Sequence, residues 1–113
     1  MSNKKKILLK GLAASPGKYK GIVKVVFSPE EAGKKIEKGN VLVTSMTDPD
    51  FTPFMKRAGA IITNTGGILS HAAILSRELG VPCVVGTKKA TDVLKDNMEV
   101  LVDGLKGLIY EVK

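Results

Sequence analysis

One histidine in 113 residues carries most of the chemical interest of this chain. His71 stands shortly after the glycine pair Gly66-Gly67 and opens a helical pattern running from Ser70 toward Leu79. An apolar run, Gly59-Ala60-Ile61-Ile62-Thr63, leads in, and another, Cys83-Val84-Val85, leads out. The order is therefore strand, glycine turn, helix, strand. With Ser70 as N-cap, His71 becomes the first helical residue, where backbone N–H groups have no intrahelical partner. A phosphoryl group on the imidazole would be stabilised there by those donors and by the helix dipole. That dipole contributes about 0.3–1 kcal/mol when exposed and up to about 2 kcal/mol when partly buried. The pattern points to His71 as a phosphoryl acceptor and donor. Gly66 and Gly67 let a ligand approach the backbone closely. The chain has no P-loop and no dinucleotide glycine fingerprint, so the phosphate must arrive from elsewhere. A lone histidine and a lone cysteine argue against a metal site, and none is expected.

Two further places could support this chemistry. Arg77 lies less than two turns from His71, where its planar fork could hold a phosphate or pair with Glu78 or another acid. In Thr47-Asp48-Pro49-Asp50, Thr47 or Asp48 can cap a helix with Pro49 in its first turn. Helix capping alone accounts for these two residues about as well as a role at the site does.

The elements that must position these residues can be read in order. Leu8–Leu12 reads as a short strand entering a Ser15-Pro16-Gly17 turn, and Gly21–Phe27 as a buried β-branched strand. Ser28-Pro29-Glu30-Glu31 starts a short helix that ends near Gly39. Asn40–Thr44 and Ala60–Asn64 are strands, and the segment between them is a loop that becomes a helix. Ala72, Ala73 and Ser76 form a small-residue side on which the central helix could seat closely, with Leu75 and Leu79 beside it. Gly80-Val81-Pro82 ends that helix. A weak helix over Thr87–Leu94 and strands over Met98–Val102 and Gly107–Val112 complete the chain. Strands outnumber helices and alternate with them irregularly, which predicts a compact mixed α/β or layered β/β/α domain. Residues 1–6 read as a basic disordered tail and residues 7–113 as a single domain.

Composition narrows the function classes. Eighteen Lys and Arg against 11 Asp and Glu give a formal charge of +7. A solvated surface explains that charge, and so does attraction to a phosphometabolite or an acidic partner. Nucleic acid is disfavoured because the three Phe and two Tyr are scattered, with no aromatic-basic motif. No apolar run is long enough to span a bilayer, and one cysteine fits a reducing compartment. Cytoplasm is the expected location.

The stretch Thr65-Gly66-Gly67-Ile68-Leu69-Ser70-His71-Ala72-Ala73-Ile74-Leu75-Ser76-Arg77-Glu78-Leu79-Gly80-Val81-Pro82-Cys83-Val84-Val85-Gly86-Thr87 resembles the phosphohistidine signature of a known family, the mobile domain of the phosphoenolpyruvate-utilising enzymes. Phosphoenolpyruvate synthase, pyruvate phosphate dikinase, rifampicin phosphotransferase and, more distantly, enzyme I of the sugar phosphotransferase system carry such a domain. The similarity extends to Ala14-Ser15-Pro16-Gly17 with Gly21, Val41–Thr44 with Thr47-Asp48-Pro49-Asp50, and Val102-Asp103-Gly104 with Gly107. The resemblance implies a layered β/β/α swivelling domain that is phosphorylated on His71. Gly66, Gly67 and Ser70 would form the turn holding the phosphohistidine, Arg77 matches the signature arginine, and Thr47 and Asp48 match the loop motif as possible contacts of the group. It further implies a nucleotide-binding partner carrying ATP and Mg²⁺, or phosphoenolpyruvate as donor, and a pyruvate-type acceptor domain or subunit. No cofactor is expected on this chain alone, which would be one component of a phosphotransferase rather than a complete enzyme. It could act as a free-standing carrier in trans or as one piece of a split enzyme. Leu69 stands where dikinases carry a threonine that is a regulatory site in some of them, so that control is not expected. Cys83 reads as a core residue. The competing readings are a non-catalytic regulatory or binding module that keeps the fold, and nucleic-acid binding through the basic surface.

Overall fold

A computed structural model of the chain describes residues 6–112. Of the basic tail expected over residues 1–6, all but Lys6 lies outside the described residues. Eight strands and four helices follow in the order β1 (Ile7–Lys10), β2 (Leu12–Ser15), β3 (Lys18–Val25), α1 (Pro29–Lys35), β4 (Val41–Thr44), a 3-10 turn (Pro49–Phe51), α2 (Thr52–Met55), β5 (Ala60–Thr63), α3 (His71–Leu79), β6 (Cys83–Val85), α4 (Ala90–Val93), β7 (Glu99–Asp103) and β8 (Leu108–Glu111).

The strands run β1-β8-β7-β3-β4-β5-β6-β2 across the sheet. One long strand divides its pairing between two layers. The first part of β3, Lys18–Ile22, pairs antiparallel with β7, whereas Val23–Val25 pairs parallel with β4. The chain makes a second crossing at Gly11: β1 pairs with β8 in one layer, and β2 pairs with β6 in the other. Gly11 donates its N–H to Gly107 O at 2.9 Å, so the corner stays hydrogen-bonded.

Two apolar cores follow from this arrangement. Leu9, Val23, Val25, Val41, Val43, Ile62, Val84, Val100, Val102 and Ile109 fill the space between the two layers, closed at one side by Ala90 of α4 and by Leu94 just after it. The opposite face of β4, β5 and β6 presents Leu42, Ile61, Cys83 and Val85 to α1, α2 and α3. β4, β5 and β6 are buried along their whole length, which is why they read as continuous apolar runs instead of alternating ones. Each fully buried Val, Leu or Ile contributes roughly 1.5–3 kcal/mol relative to exposure. The architecture is mixed α/β, with β/β/α layers as expected.

Local signals formed the helices as read. Ser28 Oγ accepts from Glu31 N at 3.0 Å while Glu31 Oε1 accepts from Phe27 N at 2.7 Å, a reciprocal cap with Pro29 at the first position. α1 stops at Lys35, four residues short of Gly39, and its buried Ile36 turns into extended backbone.

Candidate functional site

β3, β4 and β5 are parallel, so their carboxyl ends open on the same side of the sheet, the usual place for a ligand crevice in such sheets. The loops leaving β4, β5 and β6 are laced together there. Asn64 N donates to Thr44 O at 3.2 Å, and Thr65 donates to Ser45 O through both its N–H (3.0 Å) and its hydroxyl (3.1 Å). Thr87 donates to Thr63 O through its N–H and hydroxyl (3.1 and 2.9 Å), and Lys88 N to Asn64 O at 2.8 Å. Asn64 also closes a pair of hydrogen bonds with Thr91 on α4.

These bonds hold the glycine turn. Gly66 has φ +107°, and a Cβ on it would lie 2.9 Å from Ser70 Oγ, so glycine is required by both conformation and space. Gly67 is not among the positive-φ glycines, and a Cβ there would meet nothing within 4 Å. Its carbonyl accepts from Ser70 N (3.0 Å) and Ser70 Oγ (2.7 Å). Ser70 is the N-cap residue in extended conformation, but its hydroxyl is spent on the turn and makes no cap hydrogen bond. As a result, among the described residues no acceptor is found for the N–H groups of His71, Ala72 and Ala73, which is the ordinary deficit of a helix start left open.

His71 is the first residue of α3. Its Nδ1 lies 2.8 Å from the hydroxyl of Thr47, a residue that is 6% exposed. The hydroxyl can accept from an Nδ1–H or donate to a bare Nδ1. In both cases Nδ1 is occupied, and no partner for Nε2 is found among the described residues. The cleft beside the ring measures about 220 Å³ and is lined by Met46, Thr47, Thr63, Thr65, Gly66, Ser70, His71 and Ala72. That lining contains no carboxylate, ammonium or guanidinium group. Thr63 and Thr65 are site residues that the sequence reading did not single out. Their only signal was threonine recurring at strand ends (Thr44, Thr63, Thr65), which strand propensity explains equally well.

The other expected site residues separate. Asp48 is exposed, and its carboxylate accepts from Asp50 N at 2.9 Å to cap the 3-10 turn, so of the two loop candidates only Thr47 reaches the cleft. Arg77 directs its fork at backbone, not at the cleft: Nη1 donates to Ala14 O at 2.8 Å and Nη2 to Ile68 O at 2.7 Å. It ties β2 and the glycine turn to the helix carrying His71.

The helix itself seats through its small side. Ala72, Ala73 and Ser76 are buried against β2 and β6, and Leu75 and Leu79 are half-buried beside them. Gly80, at φ +72°, ends it with the Gly80 N to Arg77 O and Val81 N to Ser76 O hydrogen bonds of a Schellman cap. Cys83 lies fully buried beneath, its Sγ 3.9 Å from Ala72 O. Burial pushes its thiol up to about 11 despite the neighbouring Ser76 hydroxyl and the Arg77 charge, which makes it an inert packing group and no nucleophile. No group of three or more His, Cys, Asp and Glu is placed to hold a metal among the described residues, and no described helix is long and apolar enough to cross a membrane.

Comparison with known proteins decides the family. Residues 36–107 match the family described as "PEP-utilising enzyme, mobile domain". The chain belongs to this family. It is 65% identical over 106 residues to a probable phosphoenolpyruvate synthase of Archaeoglobus fulgidus, covering 94% of this chain and 14% of that protein. It is 59% identical over 104 residues to a phosphoenolpyruvate synthase of Aeropyrum pernix, covering 92% of this chain and 13% of that one. The mobile-domain chain thus spans about one seventh of these relatives' length. Among solved structures it resembles a solution structure of Enzyme I at 35% identity and TM-score 0.58, over 66% of this chain and 31% of that one. The mobile-domain relationship is consistent with a phosphoryl-carrier role.

Proposed function

We propose that this mobile domain is a phosphoryl carrier in which His71 Nε2 is the atom that bears the group. The observation that carries the proposal is the pinned ring: Nδ1 is held by Thr47 at 2.8 Å, which leaves Nε2 as the free nucleophile beside an open cleft and an unsatisfied helix start. In the forward step Nδ1 keeps its proton and donates it to Thr47 Oγ1, so the lone pair sits on Nε2. That pair attacks phosphorus, the bond from phosphorus to the donor's oxygen breaks, and the electron pair leaves on that oxygen. The proton on Nδ1 then passes to solvent, and the Thr47 hydroxyl reverses to donate to the bare nitrogen. Discharge runs the same way backward, with an oxygen of the acceptor as nucleophile and the pair returning to Nε2. The N–H groups of His71, Ala72 and Ala73 and the helix dipole favour the dianion.

The donor in this reading is ATP held with Mg²⁺ by a nucleotide-binding partner, or phosphoenolpyruvate. The acceptor is pyruvate or a similar molecule bound by another domain or subunit. Relatives named phosphoenolpyruvate synthase, of which this chain matches 13–14%, favour pyruvate and partners of that kind. Gly66 and Ser70 shape the turn, while Arg77 acts through the backbone and so positions the site without touching the phosphate. The test grafts this chain into the Archaeoglobus fulgidus relative in place of its own equivalent segment. Incubation with γ-labelled ATP is expected to give an acid-labile, base-stable label that disappears in His71→Ala. Undiminished label in His71→Ala would overturn the assignment.

A further inference from the structure

The layer built from β1, β8, β7 and the first part of β3 has two faces, and its inner face fills the core between the layers. Residues directly opposite one another on paired strands share a face. Tyr19, Val102, Ile109 and Leu9 form one such row, and all four pack into that core. The rows on either side therefore face outward. One runs Lys20, Leu101, Tyr110, Ile7, and the other runs Lys18, Asp103, Leu108, Lys10. Ile22 and Glu99 add a further outward pair.

An antiparallel sheet with one solvated face ordinarily alternates apolar-in with polar-out. This one departs from the rule. Ile7, Ile22, Leu101, Leu108 and Tyr110 make a band across all four strands of the outer face. Ile7 and Ile22 are 44% and 37% exposed, and the other three are half-buried. Among the described residues, none of the five belongs to either core. Single exposed aliphatics are normal, whereas a contiguous band marks an interaction site.

The border of the band is cationic. Lys10, Lys18 and Lys20 are exposed in the outward rows, and Lys106 is exposed in the turn joining β7 to β8. Asp103 is buried, its carboxylate accepting from Leu105 N and Lys106 N at 3.0 Å, which leaves Glu99 as the exposed acid of these rows. Strands about 4.8 Å apart, with outward residues about 6.8 Å apart along them, make a face of roughly 20 Å by 20 Å, side chains included. That is about half the area per partner of a stable protein–protein interface, and it accommodates one helix about 10 Å wide.

We infer that this outer sheet face is a docking surface for an acidic amphipathic helix of a partner protein. The helix lays its apolar stripe on Leu101 and Tyr110 and sets its carboxylates against Lys10, Lys18 and Lys20. A second copy of this chain is the poorer occupant, because two such faces would oppose their lysines over an area too small for a stable dimer. The inference goes beyond the carrier reading and does not rest on it. His71 sits on α3, which packs on the far side of the other layer, so both surfaces are open at once. A helix bound here would tether the domain and raise its effective concentration near a partner without covering the histidine.

The experiment uses the full chain and a designed peptide of about 15 residues, which as a helix matches the length of the face. The peptide carries leucines on one side and flanking glutamates; its twin carries lysines in place of the glutamates. Titration followed by backbone amide chemical shifts is expected to show saturable binding of the acidic peptide, with shifts centred on Ile22, Leu101, Leu108 and Tyr110. The double variant Lys18→Glu/Lys20→Glu alters exposed side chains alone and should weaken binding about tenfold or more, as like charges placed across an interface do. Lys38→Glu, exposed after α1, should stay within about twofold of the parent. Labelling of His71 by phosphoramidate, a small chemical phosphoryl donor, should proceed at the same rate with the peptide bound. Absence of saturable binding, equal binding of the twin, or undiminished binding by the double variant would overturn the inference. Shifts centred on the glycine turn, or blocked labelling, would place the peptide at the histidine and overturn it too. A dimer in sedimentation equilibrium that Leu101→Ser dissociates would give the face to a second copy. Retention on phosphatidylserine vesicles that the double variant abolishes would give it to a lipid surface. Each of those two results would displace the helix.

Discussion

Two depressions of similar size open at the carboxyl ends of the parallel strands, and their chemistry is opposite. The cleft at His71 measures about 220 Å³; the one between the end of β3, α1 and α4 measures about 250 Å³. The second is rich in charge, lined by Glu31, Lys35, Lys95 and Asp96 along with Phe27, Thr91, Val25 and Leu94. Its central charges are largely spent on one another. Lys35 Nζ lies 2.6 Å from Asp96 Oδ2 and 3.8 Å from Glu31 Oε2, and it donates to Val25 O at 2.6 Å. Asp96 Oδ1 accepts from Val25 N at 2.7 Å. The first depression has almost no charge but retains unspent capacity in Nε2 and three helix-start N–H groups. Density of ionisable residues therefore singles out the second hollow. Unsatisfied hydrogen-bonding capacity singles out the one at His71, on which the proposed carrier reading rests.

The sharpest way to break this contrast is to unpin the ring. Thr47→Val keeps the shape of the side chain and removes the hydroxyl, so Nδ1 loses its partner and the imidazole loses both its tautomer preference and its orientation. Loss of one such hydrogen bond costs about 1–3 kcal/mol, and misplacing a reacting atom can cost about 100-fold. The labelling rate of His71 from phosphoramidate should fall about 10- to 100-fold, with Thr47→Ser retaining most of it. A parent rate in Thr47→Val would make the Thr47–His71 contact incidental and remove the distinction drawn between the two hollows.

A second, smaller effect separates the two glycines of the turn. Gly66→Ala must place a Cβ 2.9 Å from Ser70 Oγ at φ +107°, and strain of this kind costs of order 1–3 kcal/mol. Gly67→Ala meets open space and should change stability by less than about 0.5 kcal/mol. Urea unfolding midpoints of the two variants check the difference, and equal midpoints would count against the turn geometry. In sequence the two glycines are indistinguishable.

That ambiguity illustrates what local reading could and could not reach. The strand cores, the Ser28-Pro29 helix start, the Ser70-His71 helix start and the Gly80 stop were all legible, because each rests on periodicity or on a cap within a few residues. The β1–β2 segment was read as one strand, and only the sheet pairing shows that the chain changes layers at Gly11. Strand β3 starts at Lys18, earlier than its apolar pattern, because its first residues pair with β7 over exposed lysines. Thr47 was read as a cap or a loop contact. Its bond to a ring 24 residues away is a product of tertiary lacing between the β4 and β5 loops. The Arg77 fork was open to a phosphate or an acid, and its backbone contact reaches across 63 residues to Ala14. The histidine was visible; the parts that orient it are long-range.

The smallest effect belongs to the charged hollow, and it carries a sign that can be checked. Partial burial pushes the Asp96 carboxyl up, but the hydrogen bonds from Lys35 and Val25 and the charges of Lys35 and Lys24 outweigh it and hold the group below its ordinary value of 3.8. A carboxyl whose pKa is lower folded than unfolded binds fewer protons in the native state. Its contribution is therefore fully present above the unfolded pKa and drains away as pH falls through the folded one. Because the Asp96 side chain is 39% exposed, solvent screens the pair, and the contribution is that of a surface bridge, about 0.2–1 kcal/mol. Asp96→Asn should lower stability by about that amount at neutral pH, and the gap from the parent should close below pH 3.8. Labelling of His71 from phosphoramidate should be unchanged throughout. A labelling defect in Asp96→Asn would show that the two hollows communicate and that the charged one is more than a clasp joining α1 to the segment after α4. A stability gap that persists or widens in acid would instead mean that the carboxylate's charge is not what the clasp uses.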